Sequence, residues 1–125
     1  MNPVILVVED NERNRKLVRT ILEFRGYEVI ECEDGEASLA LAQKHRPVLV
    51  LMDIQLPKMN GIEALALLRA DPEVGTTPVI AVTASVTSGE RERVISAGFT
   101  GYISKPIDVG TFGEMVDRTL GREVA

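Results

Sequence analysis

Five residues carry side chains that could do chemistry together: Glu9, Asp10, Asp53, Thr83 and Lys105. Each stands at or just past the end of a short apolar run. Taken singly, each has an ordinary structural reading. Carboxylates after strands often cap helices, and Asp10 or Asn11 can cap the helix that follows. A Thr at a strand end and a Lys before Pro106 are commonplace. Together they are harder to explain structurally, because three clustered carboxylates repel one another and call for a compensating cation. Oxygen-only donors with few protein ligands suit Mg2+, which keeps several waters and binds through one or two carboxylates plus a phosphate. A carboxylate can attack phosphorus to give an aspartyl-phosphate, and a metal, an ammonium and a hydroxyl can share the charge of the equatorial oxygens. The sequence has a nucleophile and an electrophilic clamp but no phosphoryl-donor site: neither a G-x-x-x-x-G-K-[ST] loop nor a kinase Gly-rich loop occurs.

The elements that must position these groups follow from the apolar pattern. Val4–Val8, 48–52 and 79–82 are short, continuous apolar runs and read as strands buried on both faces. Glu28–Cys32 alternates polar and apolar residues, and Gly101–Ser104 is short and mixed, so both suit sheet edges. Between them lie helical patterns. Leu17, Val18, Ile21, Leu22 and Phe24 form the apolar face of a first helix, stopped by Gly26. Residues 36–45 are Ala- and Leu-rich and end before Pro47; Ile62, Leu65 and Leu68 mark a third helix ending near Asp71-Pro72. Residues 87–97 are mostly polar or charged, with Val94 and Ile95 as the main apolar contacts, so this helix is expected to pack weakly and to be among the more mobile elements. Asp108 caps a fifth, with Val109, Phe112, Val116 and Leu120 on its buried stripe, while Gly110 and Gly113 lower its propensity. Five strands each followed by a helix give an α/β, doubly wound parallel sheet. With the polar strands at the edges, the sheet has the order 2-1-3-4-5. Its site lies at the carboxyl ends of the strands, where the order reverses.

The 125 residues amount to a single domain able to bury its own core. Fourteen basic against 19 acidic residues leave a net charge of −5, which argues against a nucleic-acid surface. The single cysteine, Cys32, cannot form an internal disulfide and fits a reducing compartment. No basic leader and no apolar run of membrane-spanning length occurs, so a soluble cytoplasmic protein is expected, without membrane insertion.

The segments Val8-Glu9-Asp10-Asn11, Leu51-Met52-Asp53-Ile54-Gln55-Leu56-Pro57 with Gly61, Val82-Thr83-Ala84 and Ser104-Lys105-Pro106 resemble the response-regulator receiver domains of two-component signalling, across essentially the whole chain. Asn14 and the stretches 52–57 and 102–107 are most similar to DivK-type single-domain regulators of cell-cycle and polarity control, although receivers of hybrid kinases share much of this. The resemblance implies that Asp53 is the phosphoacceptor. It implies that Asp10, the Asp53 carboxylate and the Gln55 backbone carbonyl bind Mg2+ (or Mn2+ in its place), with Glu9 reaching it through water. Lys105 would pair with a phosphoryl oxygen and Thr83 would move to bond another, with Tyr102 as the aromatic that turns inward in response. Lys105-Pro106 matches a position where the family has a cis peptide. Gln55 and Ser85 match positions that tune phosphate lifetime.

The implied partners are a sensor histidine kinase or histidine phosphotransfer protein upstream and a protein effector downstream, engaged through helix 4, strand 5 and helix 5. A monomer is expected. The chain stops about one turn after helix 5, so no output domain is expected to follow. Alternatives are a phosphorelay shuttle, an excised receiver of a hybrid kinase, or a receiver that signals without phosphorylation. A Mg2+-dependent phosphatase fits poorly: Asp10 is followed by Asn11-Glu12, without a second Asp two residues on, and there is no room for a cap. His45, the lone histidine, is expected at the surface near the end of helix 2.

Overall fold

The computed structural model describes residues 2–84 and 87–122. Five strands and five helices alternate: β1 Val4–Val8, α1 Glu12–Phe24, β2 Glu28–Cys32, α2 Gly35–His45, β3 Leu49–Asp53, α3 Gly61–Ala70, β4 Val79–Thr83, α4 Ser88–Ser96, β5 Gly101–Ser104 and α5 Val109–Thr119. The strands are parallel and ordered β2-β1-β3-β4-β5. The three apolar runs occupy the centre and the two polar ones the edges, as burial on two faces requires.

Side-chain alternation along the central strands divides the core. Leu6, Val8, Val50, Met52 and Ala81 face one way, packing with Ala42, Ala64, Leu65, Leu68 and Val94. Ile5, Val7, Leu49, Leu51, Ile80 and Val82 face the other, against Val18, Ile21, Leu22, Phe112 and Val116. Every helix starts on a side-chain cap: Asn11, Asp34, Asn60, Thr87 and Asp108 each accept from a first-turn N–H. Asn60 and Glu63 complete a reciprocal capping box.

Four expectations need correction. The third strand is shifted by one residue: Val48 lies outside it and is exposed, while Asp53 is its last member. Phe24 is 92% exposed. At 100° per residue it points about 110° away from the Val18–Ile21–Leu22 face, and Tyr27, just beyond the helix, fills the core position instead. Val109 is also exposed, because it is the first residue of α5 and precedes the turn that meets the sheet. On α4 only Val94 is buried; Ile95, one residue round the helix, faces solvent. His45 is the last residue of α2 and is half-buried.

Gly113 has a use that helix propensity conceals. The Arg25 side chain crosses α5 at that point, where an added Cβ would lie 2.7 Å from its Cζ. This crossing lets Arg25 Nη1 donate to Asp117 Oδ2 at 2.5 Å, while Tyr27 Oη donates to Oδ1 at 2.5 Å. A buried carboxylate is thereby paired and ties α5 to the α1–β2 turn.

Candidate functional site

The chemically capable residues gather at the carboxyl ends of β1, β3, β4 and β5. Glu9 follows β1, with its backbone N–H donating to the Cys32 carbonyl at 3.1 Å and the residue 4% exposed. The Asn11 N–H donates to Glu9 Oε2 at 3.2 Å, so the start of α1 and the acidic loop are built as one unit. Asp10 beside it is exposed.

Asp53 ends β3 with its side chain 4% exposed. Oδ1 accepts the Gln55 N–H at 2.9 Å, and Oδ2 accepts from Lys105 Nζ at 2.9 Å. The segment that follows is pinned by burial of Ile54 and Leu56 and by the Gly61 N–H donating to the Ile54 carbonyl at 2.9 Å. Gly61 is required sterically: a Cβ there would press into the Asp53 carbonyl and lie 2.9 Å from Ile54 Cα. The first turn of α3 therefore packs directly on the backbone that carries Asp53.

Lys105 reaches across from the end of β5. Its Nζ lies 2.7 Å from Glu9 Oε1 as well as 2.9 Å from Asp53 Oδ2, and its backbone N–H donates to the Thr83 carbonyl at 2.8 Å. The Lys105-Pro106 peptide is cis. Thr83 ends β4, fully buried and opposite Ser104 in register. Tyr102 sits two residues back on β5, half-buried, with the Arg91 guanidinium of α4 5.4 Å from its ring centroid.

One ammonium for three carboxylates leaves the cluster short of positive charge. Burial, then the hydrogen bond and charge of Asp53, push the Glu9 carboxyl up to about 7, against the opposing pull of Lys105 and the Asn11 N–H. Burial alone would lower Lys105, but its bonds to Glu9 and Asp53 outweigh that and raise it. Ligand oxygens of Glu9, Asp10 and Asp53 all lie within 4.8 Å of one another. A hard, all-oxygen, anionic set with an electrostatic deficit fits a small divalent cation such as Mg2+.

Glu9, Asp10, Asp53 and Lys105 are thus brought together as the sequence pattern predicts, with Thr83 at the same rim. Gln55 is exposed and contributes its N–H to Asp53. Ser85 lies outside the described residues. Sequence reasoning missed Arg15, whose Nη1 lies 2.9 Å from the Glu9 carbonyl oxygen and 3.2 Å from that of Asp10. Its position one turn into α1, five residues after Asp10, was the available signal.

Comparison with known proteins places the chain among relatives of one family. The family model for the response regulator receiver domain matches residues 5–117. The polar-differentiation response regulator DivK of Brucella anthropi is 48% identical over 117 residues, 94% of this chain and 95% of that protein. Among solved structures, the receiver domain of the sensor histidine kinase PA1611 from Pseudomonas aeruginosa, with a magnesium ion coordinated in its active-site cleft, superposes with a TM-score of 0.88 at 32% identity, covering 97% of this chain and 99% of that one. The chemotaxis protein CheY4 of Vibrio cholerae gives 0.88 at 29% identity, with 94% and 98% covered.

Proposed function

This chain belongs to the response regulator receiver domain family, and from that premise we propose that it is a single-domain response regulator switched by phosphorylation of Asp53. The observation that carries the proposal is the Asp53 carboxylate, buried at the end of β3 and held by Lys105 beside Glu9. An Asp53 oxygen forms a bond to phosphorus as the P–N bond of a donor phosphohistidine breaks, and the departing imidazole takes up a proton. Asp10, Asp53 and the Gln55 carbonyl would hold Mg2+, or Mn2+, with Glu9 of the same acidic cluster reaching it through water, and the metal would supply charge neutralisation for the phosphoryl oxygens. Lys105 exchanges its carboxylate partner for a phosphoryl oxygen, and Thr83 turns to bond another.

Charge-assisted hydrogen bonds contribute roughly 1.5–3 kcal/mol each. Two or three of them cover the ~5.5 kcal/mol that moves an equilibrium from 1:99 to 99:1. Tyr102 follows Thr83, and the Arg91 contact passes the change to α4. The output is then a protein effector on the α4–β5–α5 face, in polarity or cell-cycle control as the similarity to DivK suggests. Gln55 and Ser85 set the lifetime of the phosphate. No helix among the described residues is long and apolar enough to cross a membrane, and we place the protein in the cytoplasm, where histidine kinases act. Similarity to the receiver of a sensor histidine kinase favours, as a second reading, a phosphorelay shuttle passing the group to another histidine.

The test is transfer from a purified phosphohistidine-bearing phosphotransfer protein. The group should leave the donor and appear once on this chain, but not on Asp53→Asn. Labelling of Asp53→Asn, or repeated turnover of a phosphomonoester, would overturn the reading.

A further inference from the structure

Resting on the reading of Glu9, Asp10 and Asp53 as a cation site, we propose that Arg15 is a positioning residue that sets the divalent-cation affinity of this chain by fixing the backbone of the acidic loop. Asp10 is exposed, so its carboxylate is only as well placed as the backbone that carries it. The loop is pinned at its start by the Glu9 N–H on the Cys32 carbonyl and at its end by the Asn11 cap. Between those pins, Arg15 Nη1 donates to both carbonyls of the Glu9–Asp10 pair, at 2.9 and 3.2 Å.

The rest of the guanidinium is held from the opposite side. Nη2 lies 3.3 Å from Glu33 and Nε 3.8 Å from Glu31, residues at and just past the end of β2. These carboxylates orient the fork and offset its charge, so Arg15 acts through geometry more than as a repelling cation. Glu31 is itself fixed by Arg19 at 2.6 Å. A lysine cannot reproduce this arrangement, because its single ammonium cannot hold two carbonyls on one arm and two carboxylates on the others. Groups that orient metal ligands from behind typically change affinity by roughly 10–100-fold. Arg15 acts one bond network further back, on the backbone, which puts its effect at the lower end.

The experiment is a Mg2+ titration of the full chain followed by amide NMR shifts, for wild type, Arg15→Met, Arg15→Lys and Glu33→Gln, with melting temperatures recorded alongside. Both Arg15 variants should need about tenfold more Mg2+ for half-saturation, and Glu33→Gln about two- to threefold more. Glu33 is largely exposed, so that variant should bind more weakly without losing melting temperature, which a purely structural role would not produce. In metal-free protein, the carbonyl 13C shifts of Glu9 and Asp10 should move in both Arg15 variants. If wild type binds Mg2+ and Arg15→Met binds equally or more tightly, charge and not positioning governs the loop, and the inference fails alone. If wild type does not bind Mg2+, the inference fails together with the cation site it rests on. If Arg15→Met does not fold, Arg15→Lys and Glu33→Gln decide on the same readouts.

Discussion

Replacing Gly61 with alanine should damage the protein, whereas the same replacement at Gly89 should help it. Gly61 opens α3 directly against β3, and an added Cβ would lie 2.9 Å from Ile54 Cα and press into the Asp53 carbonyl. Ordinary contact begins at 3.4 Å, so the helix start and the strand must part by at least half an ångström. Both neighbours are backbone and cannot rotate away. The Gly61 N–H bond to the Ile54 carbonyl stretches with them. Overpacking of this kind costs about 2–3 kcal/mol, or roughly 8–12 °C in melting temperature for a domain of this size. At Gly89, in the first turn of α4, an added Cβ meets nothing within 4 Å. There alanine should gain about 0.5 kcal/mol through reduced freedom of the unfolded chain. Urea and thermal unfolding of the two variants beside wild type is the assay. A Gly61→Ala protein as stable as wild type would refute the steric argument and the claim that α3 is seated on the Asp53 backbone.

Other perturbations test other parts of the structure. Glu9 holds its proton up to about 7 in the folded protein against an ordinary 4.5, so it favours folding at low pH and loses that contribution as pH rises through 7. In chelator, Glu9→Gln should therefore gain melting temperature relative to wild type between pH 4.5 and about 7; parallel curves would contradict the assignment. Asp117→Leu should cost about 3–4 kcal/mol in urea unfolding, because it strands Arg25 and the Tyr27 hydroxyl, whereas Tyr27→Phe should cost about 1 kcal/mol. Burial pushes the Cys32 thiol up to about 11, so alkylation by iodoacetamide near neutral pH should run about a hundredfold slower than for a free thiol. A rate near that of free cysteine would mean the β2 edge opens readily.

Much of this could be read from the chain because the relevant signals are local. Continuous apolar runs mark the central strands, and alternation marks the edge strand Glu28–Cys32; Asn11 and Asp108 announce their helices by residue type, whereas the Asn60 cap emerged only with the structure. The chemically capable residues could be located because a parallel sheet carries each strand end to one rim, so Asp53 and Lys105, 52 residues apart in sequence, meet in space. What stayed hidden depends on where elements end and cross. Phe24 and Val109 look like core residues until the rotation of α1 and the first turn of α5 are known. Gly61 and Gly113 are needed because of what lies against them, backbone in one case and the Arg25 side chain in the other. Arg15 reads as one more charge on a basic helix face until its arm is seen on the Glu9 and Asp10 carbonyls.

The most direct measurement of the central claim is intact mass after incubation with a small-molecule phosphoryl donor, with and without Mg2+, beside Asp53→Asn. The account predicts one phosphoryl group per chain, dependent on Mg2+ and lost in the variant. A phosphoryl group that persists in Asp53→Asn, or that forms equally well in chelator, would contradict it.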